Sequence, residues 1–173
     1  RYVVGWMVAR GESATLARDL IEASCQKQGI GLDQLTVHAD RGASMRSKRV
    51  ALLLSDLGIT QSHSRPHVSN DNPYSEAQFK TMKYRPDYPD RFGCPEDARV
   101  WARDFFDWYN LKHHHTGLGL MTPAMVHDGQ AAQIQSARQQ VLESAFNAHP
   151  ERFVRGIPHA PALPEAVWIN RPK

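Results

Sequence analysis

Cysteine is scarce in this chain. Cys25 and Cys94 stand far apart and neither belongs to a partner motif, so a disulfide framework is excluded and a reducing compartment is expected. Long apolar runs are missing too. None approaches the roughly 18 residues that cross a bilayer, and no leader-like segment is visible, so the expected location is the cytoplasm, with no membrane partner. Charge of one sign is not in large excess. The net +3, with nine histidines left out of that sum, permits contact with nucleic acid without requiring it. No internal repeat is present. What remains is an ordinary mix with 41% apolar residues over 173 positions, enough for one core-bearing domain and a tail.

Within that mix, residues 38–84 organise the chain. Leu35-Thr-Val-His-Ala-Asp40 reads as a short buried strand with a carboxylate at its tip. Asn72 and Pro73 suit the N-cap and first position of a helix that carries Glu76. Residues 41–75, 35 positions, separate the two acids. An acid at a strand end and an acid in a helix's first turns can meet in space, and such a pair suits Mg²⁺. Glu76, Lys80 and Lys83 share a helix face, which fits a phosphate backbone crossing the helix or, equally, a solvated face with one Glu–Lys pair. Phe79 and Met82 lie on another face and are expected to anchor the helix to a core. Arg41, Arg46, Lys48, Arg49 and Arg65 against the single acid Asp56 make a basic stretch, itself compatible with a solvated helix.

In chain order, Tyr2–Ala9 is expected as a strand, Glu12–Gln28 as a helix ended by Gly29 and Gly31, Ser44–Leu57 as a second helix stopped by Gly58, and Ile59–Ser62 as a short strand. This alternation predicts an α/β layer with some parallel pairing. Residues 64–71, with Pro66, form a polar loop. Pro86, Pro89 and Pro95 forbid a regular element over 85–95. Glu96–Asn110 is a helix whose Val100, Trp101, Phe105, Trp108 and Tyr109 form an aromatic stripe, expected as core rather than a stacking platform for bases. His113, His114 and His115 are adjacent, point alternately on an extended chain and lack a further ligand at zinc spacing. Gln130–Ala148 is a further helix. Beyond it lies a proline-rich tail holding Pro150, Pro158, Pro161, Pro164 and Pro172.

The strings His38-Ala-Asp-Arg-Gly-Ala-Ser44 and Ser69-Asn-Asp-Asn-Pro-Tyr-Ser-Glu-Ala-Gln-Phe-Lys-Thr-Met-Lys-Tyr84 resemble the integrase core of bacterial insertion-sequence transposases. So do Arg1-Tyr-Val-Val-Gly-Trp6, Trp108-Tyr-Asn with His115 and Thr122-Pro123, His149-Pro-Glu-Arg-Phe153 and Trp168-Ile-Asn170. These cores resemble retroviral integrases and carry an Asp, then Asp-35-Glu. The resemblance implies a ribonuclease H-like mixed sheet flanked by helices, with a partial catalytic core over residues 1–128 and a helical, proline-rich tail over 129–173. It implies Asp40 and Glu76 as catalytic, metal-binding acids, two Mg²⁺ (or Mn²⁺) ions in the complete site, and DNA contacts from Lys80, Lys83, Arg41, Arg65 and His115, the last structural or DNA-proximal. The implied partners are transposon ends and target DNA, and a second subunit or the full-length transposase. The implied setting is a bacterial nucleoid. The implied reaction is cleavage and strand transfer of transposon ends as part of a longer protein.

The family's first aspartate lies upstream of the segment resembling Arg1–Trp6, and neither Asp19 nor Asp33 matches its motif. The expectation is therefore two acids of three, in the C-terminal part of a longer transposase or in a truncated copy. The fold is then expected to lack its first strands and to be marginal alone, because Leu35–Asp40 would present an open apolar edge. The alternative function is that of an inactive remnant that binds DNA or regulates the full-length enzyme.

Overall fold

The structure, a computed structural model, describes residues 1–65, 68 and 71–169. The polar loop's Pro66 and Ser69, and the tail's Asn170 and Pro172, lie outside the described residues. Helices α1 (Ala14–Gln28), α2 (Lys48–Asp56), α3 (Pro73–Lys83), α4 (Pro95–Leu111), α5 (Pro123–His127) and α6 (Ala131–Ala148) accompany strands β1 (Thr36–Ala39) and β2 (Thr60–His63). The chain forms two units. The first holds Val3–Arg103 with Trp168 and Ile169, and the second holds Arg1–Tyr2 and Asp104–Val167.

In the first unit, local chemistry sets each boundary. Ser13 caps α1 by accepting the Leu16 amide at 3.1 Å, and Gly29 ends it at φ +63, a left-handed position that glycine takes without strain. Ser47 caps α2 through the Val50 amide at 3.3 Å. That cap starts α2 at Lys48, four residues later than the apolar pattern predicts, and leaves 43–47 in turns. Gly58 follows at φ +62, where an added Cβ would strike Asp33. Buried Cys25, Val50, Leu54 and Ile59 form the core, with Ala17, Ile21, Leu35 and Val37 packed against it. β1 and β2 pair in parallel, Thr36 with Thr60 through Ala39 with His63. The predicted parallel α/β alternation is thus present.

Tyr2–Ala9 does not form the predicted strand. Val4 and Gly5 lie against α1 instead. A Cβ on Gly5 would collide with Ser24 Oγ, and Lys27 Nζ donates to the Val4 carbonyl at 3.5 Å. An apolar, β-rich stretch becomes a strand only when a ladder partner is present to take its amides and carbonyls. The proline-rich stretch 85–95 is irregular as predicted, but it packs: Tyr88 meets Trp101 edge-on at 5.0 Å, and the Trp101 indole donates to the Asp87 carbonyl at 2.9 Å. Pro95 opens α4 rather than preceding it, a position where its missing amide costs nothing.

In the second unit, Phe105, Tyr109, Met121 and Ala124 are buried, so the lower part of the α4 stripe is core as expected, whereas Val100 is 57% exposed. Two elements beyond the sequence reading fill the connection to α6: a 3₁₀ turn over Thr116–Leu118, and α5, capped by Thr122 through the Met125 amide. A bridge between His115 and Met121 closes the turn. The tail docks on α6. The Gln139 side chain accepts the Ala160 amide at 2.9 Å and donates to the Pro158 carbonyl at 3.2 Å. Arg138 holds the carbonyls of Gly119 and Leu120 at 2.7 and 2.8 Å. No described helix is long and apolar enough to cross a membrane.

Candidate active site

Asp40 follows directly on β1, and its carboxylate is solvent-exposed. Its Oδ1 accepts the Gly42 amide at 3.0 Å, a short-range turn that turns the chain sharply at the strand exit. The exit is fixed from β2 as well. His63 Nδ1 lies 3.1 Å from the Asp40 carbonyl, and the Ser64 amide donates to the Ala39 carbonyl at 3.0 Å. Arg41 Nε donates back to the Ser64 carbonyl at 3.1 Å. The two parallel strands thus leave the sheet tied to each other.

Glu76 is exposed in the first turn of α3, where a negative charge suits the helix dipole. Asn72 occupies the N-cap position, but its side chain makes no capping bond. α3 has no fully buried side chain: of the two expected anchors, Met82 is half-buried and Phe79 is 52% exposed, so apolar anchoring of this helix is partial. A polar frame, unread in the sequence, holds its start. Asp71, 4% exposed, lies one residue ahead of Asn72. Its Oδ2 accepts the Arg65 amide at 2.7 Å and Arg65 Nε at 3.0 Å, and its Oδ1 accepts Arg65 Nη2 at 2.9 Å. Hydrogen bonds from the Arg65 side chain, then from its backbone, hold the Asp71 carboxyl down at about 2. The Asp71 carbonyl in turn accepts from His38 Nε2 at 2.9 Å, and His38 Nδ1 is set 2.7 Å from Ser62 Oγ across the β1–β2 pair. With Nε2 donating to a carbonyl, Nδ1 of a neutral His38 is the acceptor for the Ser62 hydroxyl.

The frame joins a β1 residue two positions before Asp40 to the residue five positions before Glu76. It brings the elements carrying the two acids into one neighbourhood. Among the described residues, no group of three or more His, Cys, Asp or Glu side chains is placed to hold a metal ion. The two carboxylates have the right chemistry for a hard cation but not, alone, the ligand number.

The other predicted residues divide. Lys80 and Lys83 are exposed at the end of α3, on the stripe expected for them, with Lys80 Nζ 5.9 Å from the Tyr84 ring centre. The Arg65 guanidinium is already forked on Asp71, and Arg41 Nε is committed to Ser64, so neither presents a wholly free cation to DNA. His115, expected as structural or DNA-proximal, is 8% exposed, edge-on to Tyr109 at 5.1 Å and to His113 at 4.4 Å. Burial, then the charge of His113, pushes its pKa down to about 4, and its buried Nε2 has no hydrogen-bond partner among the described residues. The structural one of its two expected roles is the one this position fits. No helix or strand period could have found the Asp71 frame, because Arg65 and Asp71 meet across six residues of loop and His38 and Asp71 across 33.

An α/β unit with a parallel strand pair, an acid at a strand exit and an acid on a tethered helix is the arrangement of an integrase-type core. Two family models, each described as an integrase core domain, match residues 1–69 and 57–123, together residues 1–123. The chain belongs to the integrase core domain family. It is similar to the putative transposase InsK for insertion sequence element IS150 of Escherichia coli (strain K12), with 30% identity over 87 residues, 50% of this chain and 31% of that protein. The match thus spans about a third of that relative's length. In fold, the chain resembles the catalytic core domain of BIV integrase, with a TM-score of 0.53 over 75% of this chain and 80% of that one at 22% identity.

Proposed function

We propose that this chain is the integrase-core part of an insertion-sequence transposase, acting on DNA ends within a longer protein. The supporting observation is the family match over residues 1–123, coupled to two acids at family spacing on β1's exit and α3's first turn. Asp40 and Glu76 would supply two carboxylates of a site for Mg²⁺ or Mn²⁺. A divalent ion held there would supply Lewis acidity toward a phosphodiester. The chain's own contribution is position and charge. The Gly42 amide and His63 fix Asp40 at the strand exit, and Lys80 and Lys83 carry positive charge along the helix below Glu76, where a phosphate backbone can lie. Cleavage and strand transfer need a further ligand from outside the described residues of this chain, and the working assembly is an oligomer on DNA.

Titration calorimetry with Mn²⁺ and Mg²⁺ tests this on the full chain and on Asp40→Asn. Weak binding that disappears in the variant supports the paired site. Binding of equal strength in both proteins removes Asp40 from it.

A second reading rests on the absence of three convergent ligands among the described residues. On its own this chain would then bind DNA or a full-length transposase without catalysing joining. Metal-dependent joining of DNA ends by the purified chain excludes that reading.

A further inference from the structure

We infer that Asp71, gripped by Arg65 and His38, is a positioning residue that sets the separation of Asp40 and Glu76 by clamping the start of α3 to the exits of β1 and β2. The geometry carries this in three steps. Arg65 follows β2 by two residues and Asp71 precedes α3 by two, and three bonds of 2.7–3.0 Å join Arg65 to Asp71. Asp71 is also fastened to the sheet by the 2.9 Å bond from His38 Nε2 to its carbonyl. His38 itself cannot swing, because Ser62 holds its other nitrogen at 2.7 Å from the neighbouring strand.

The alternatives for fixing α3 are weak. The helix buries no side chain, Phe79 and Tyr84 are 52% and 79% exposed, and Asn72 makes no capping bond. With Tyr74, Gln78, Thr81 and Met82 only half-buried, the helix is held most firmly at its N-terminus and pivots about that end. Glu76, one turn from the pivot, is the residue whose distance from Asp40 the clamp controls most tightly, while Lys80 and Lys83 sweep further. An ionised carboxylate with charge-assisted bonds to a planar guanidinium is also a directional fastener, which an apolar contact is not.

The catalytic meaning of this clamp rests on the proposed pairing of Asp40 with Glu76; its mechanical effect does not. The test therefore reads distance rather than chemistry. Nitroxide labels are placed by Ala43→Cys and Ala77→Cys, both exposed positions beside the two acids, in a Cys94→Ser background; Cys25 is buried. Pulsed dipolar spectroscopy then gives the distance distribution between the exit of β1 and the first turn of α3. The parent gives a single narrow distribution. Arg65→Ala and Asp71→Ala broaden it about twofold or more, since a fixed element becomes a swinging one. His38→Gln, which keeps a donor within reach of the Asp71 carbonyl, stays nearer the parent than His38→Ala. Ile59→Val, a core change that lowers the melting midpoint without touching the clamp, leaves the distribution narrow. If Asp71→Ala fails to fold, Arg65→Ala carries the measurement, because that side chain is 61% exposed. A narrow, unshifted distribution in Arg65→Ala overturns the inference. Loss of the metal signal in Asp40→Asn with a broadened distribution in Arg65→Ala upholds both readings, whereas broadening without any metal binding upholds the clamp alone.

Discussion

Asp71 and His115 are buried titratable groups with opposite preferences, and acid acts on each through a different window. The Asp71 carboxyl lies at about 2 in the fold and near 4 in an unfolded chain. A depressed carboxyl contributes stability that is fully present above the unfolded value and is lost as pH falls toward the folded one. Asp71→Asn is therefore expected to melt lower than the parent at pH 6, with the gap narrowing between pH 4 and 2; melting midpoints against pH measure it. His115 prefers its neutral form, with a folded pKa of about 4 against 6.5. The unfolded chain binds the extra proton first, so stability falls as pH drops from 6.5 to 4 and then levels. His115→Leu is expected to lose that dependence, and thermal melts from pH 7 to 4 compare the slopes. Neither role was legible in the sequence. Asp71 was one polar residue in a loop, and neither Arg65, six residues before it, nor His38, 33 before it, stands at a spacing that signals contact; His115 was one of three adjacent histidines, and spacing does not tell which of them is buried.

At the scale of elements, helices α1 to α4 and both strands were legible from local rules: Pro73 as a start, Gly29 and Gly58 as stops, apolar period for the buried faces. The caps Ser13 and Ser47 were not read, and α2 accordingly starts later than its apolar pattern. The rules failed where an element's fate depended on a neighbour. Tyr2–Ala9 has the composition of a strand and forms none, with Val4 and Gly5 against α1; Phe79 has the spacing of an anchor and is 52% exposed. This difference is measurable. Leu54→Ala in α2, 2% exposed, is expected to cost about 2–5 kcal/mol in denaturant unfolding. Phe79→Ala in α3 is expected to cost less, on the order of 1 kcal/mol, because about half of that residue stays in water on folding. A large loss at Phe79 would mean that α3 is packed against a core after all.

For the whole molecule, the two acids were legible as a pair only because both stand where local structure could be read: one beyond a strand, one past a proline-started helix. The frame that relates them was not. The clamp also sorts the basic residues. The Arg65 guanidinium is forked on Asp71 although largely exposed, so the less committed cations include Lys80 and Lys83. If both meet phosphates, Lys80→Ala and Lys83→Ala each lower the slope of log K against log salt by about 1, uniformly across DNA sequences. Fluorescence anisotropy with a short duplex at several salt concentrations reads this directly. An unchanged slope in the double variant would place the DNA path elsewhere on the chain.

The tail of the second unit is held by a side chain that behaves like a strand. Gln139 accepts the amide of Ala160 and donates to the carbonyl of Pro158, as an adjacent backbone would, while its Nε2 also donates to Glu143 at 2.9 Å on its own helix. Recognition of this kind reads the main chain, not the residues hung on it. Docking of this kind asks no particular side chain of residues 158 and 159, and Pro158, with no amide to offer, sits where only a carbonyl is asked for. Those two positions can drift under mutation while the path over α6 persists, whereas Gln139, which makes the bonds, and Ala160, buried at 8% exposure, cannot drift with them.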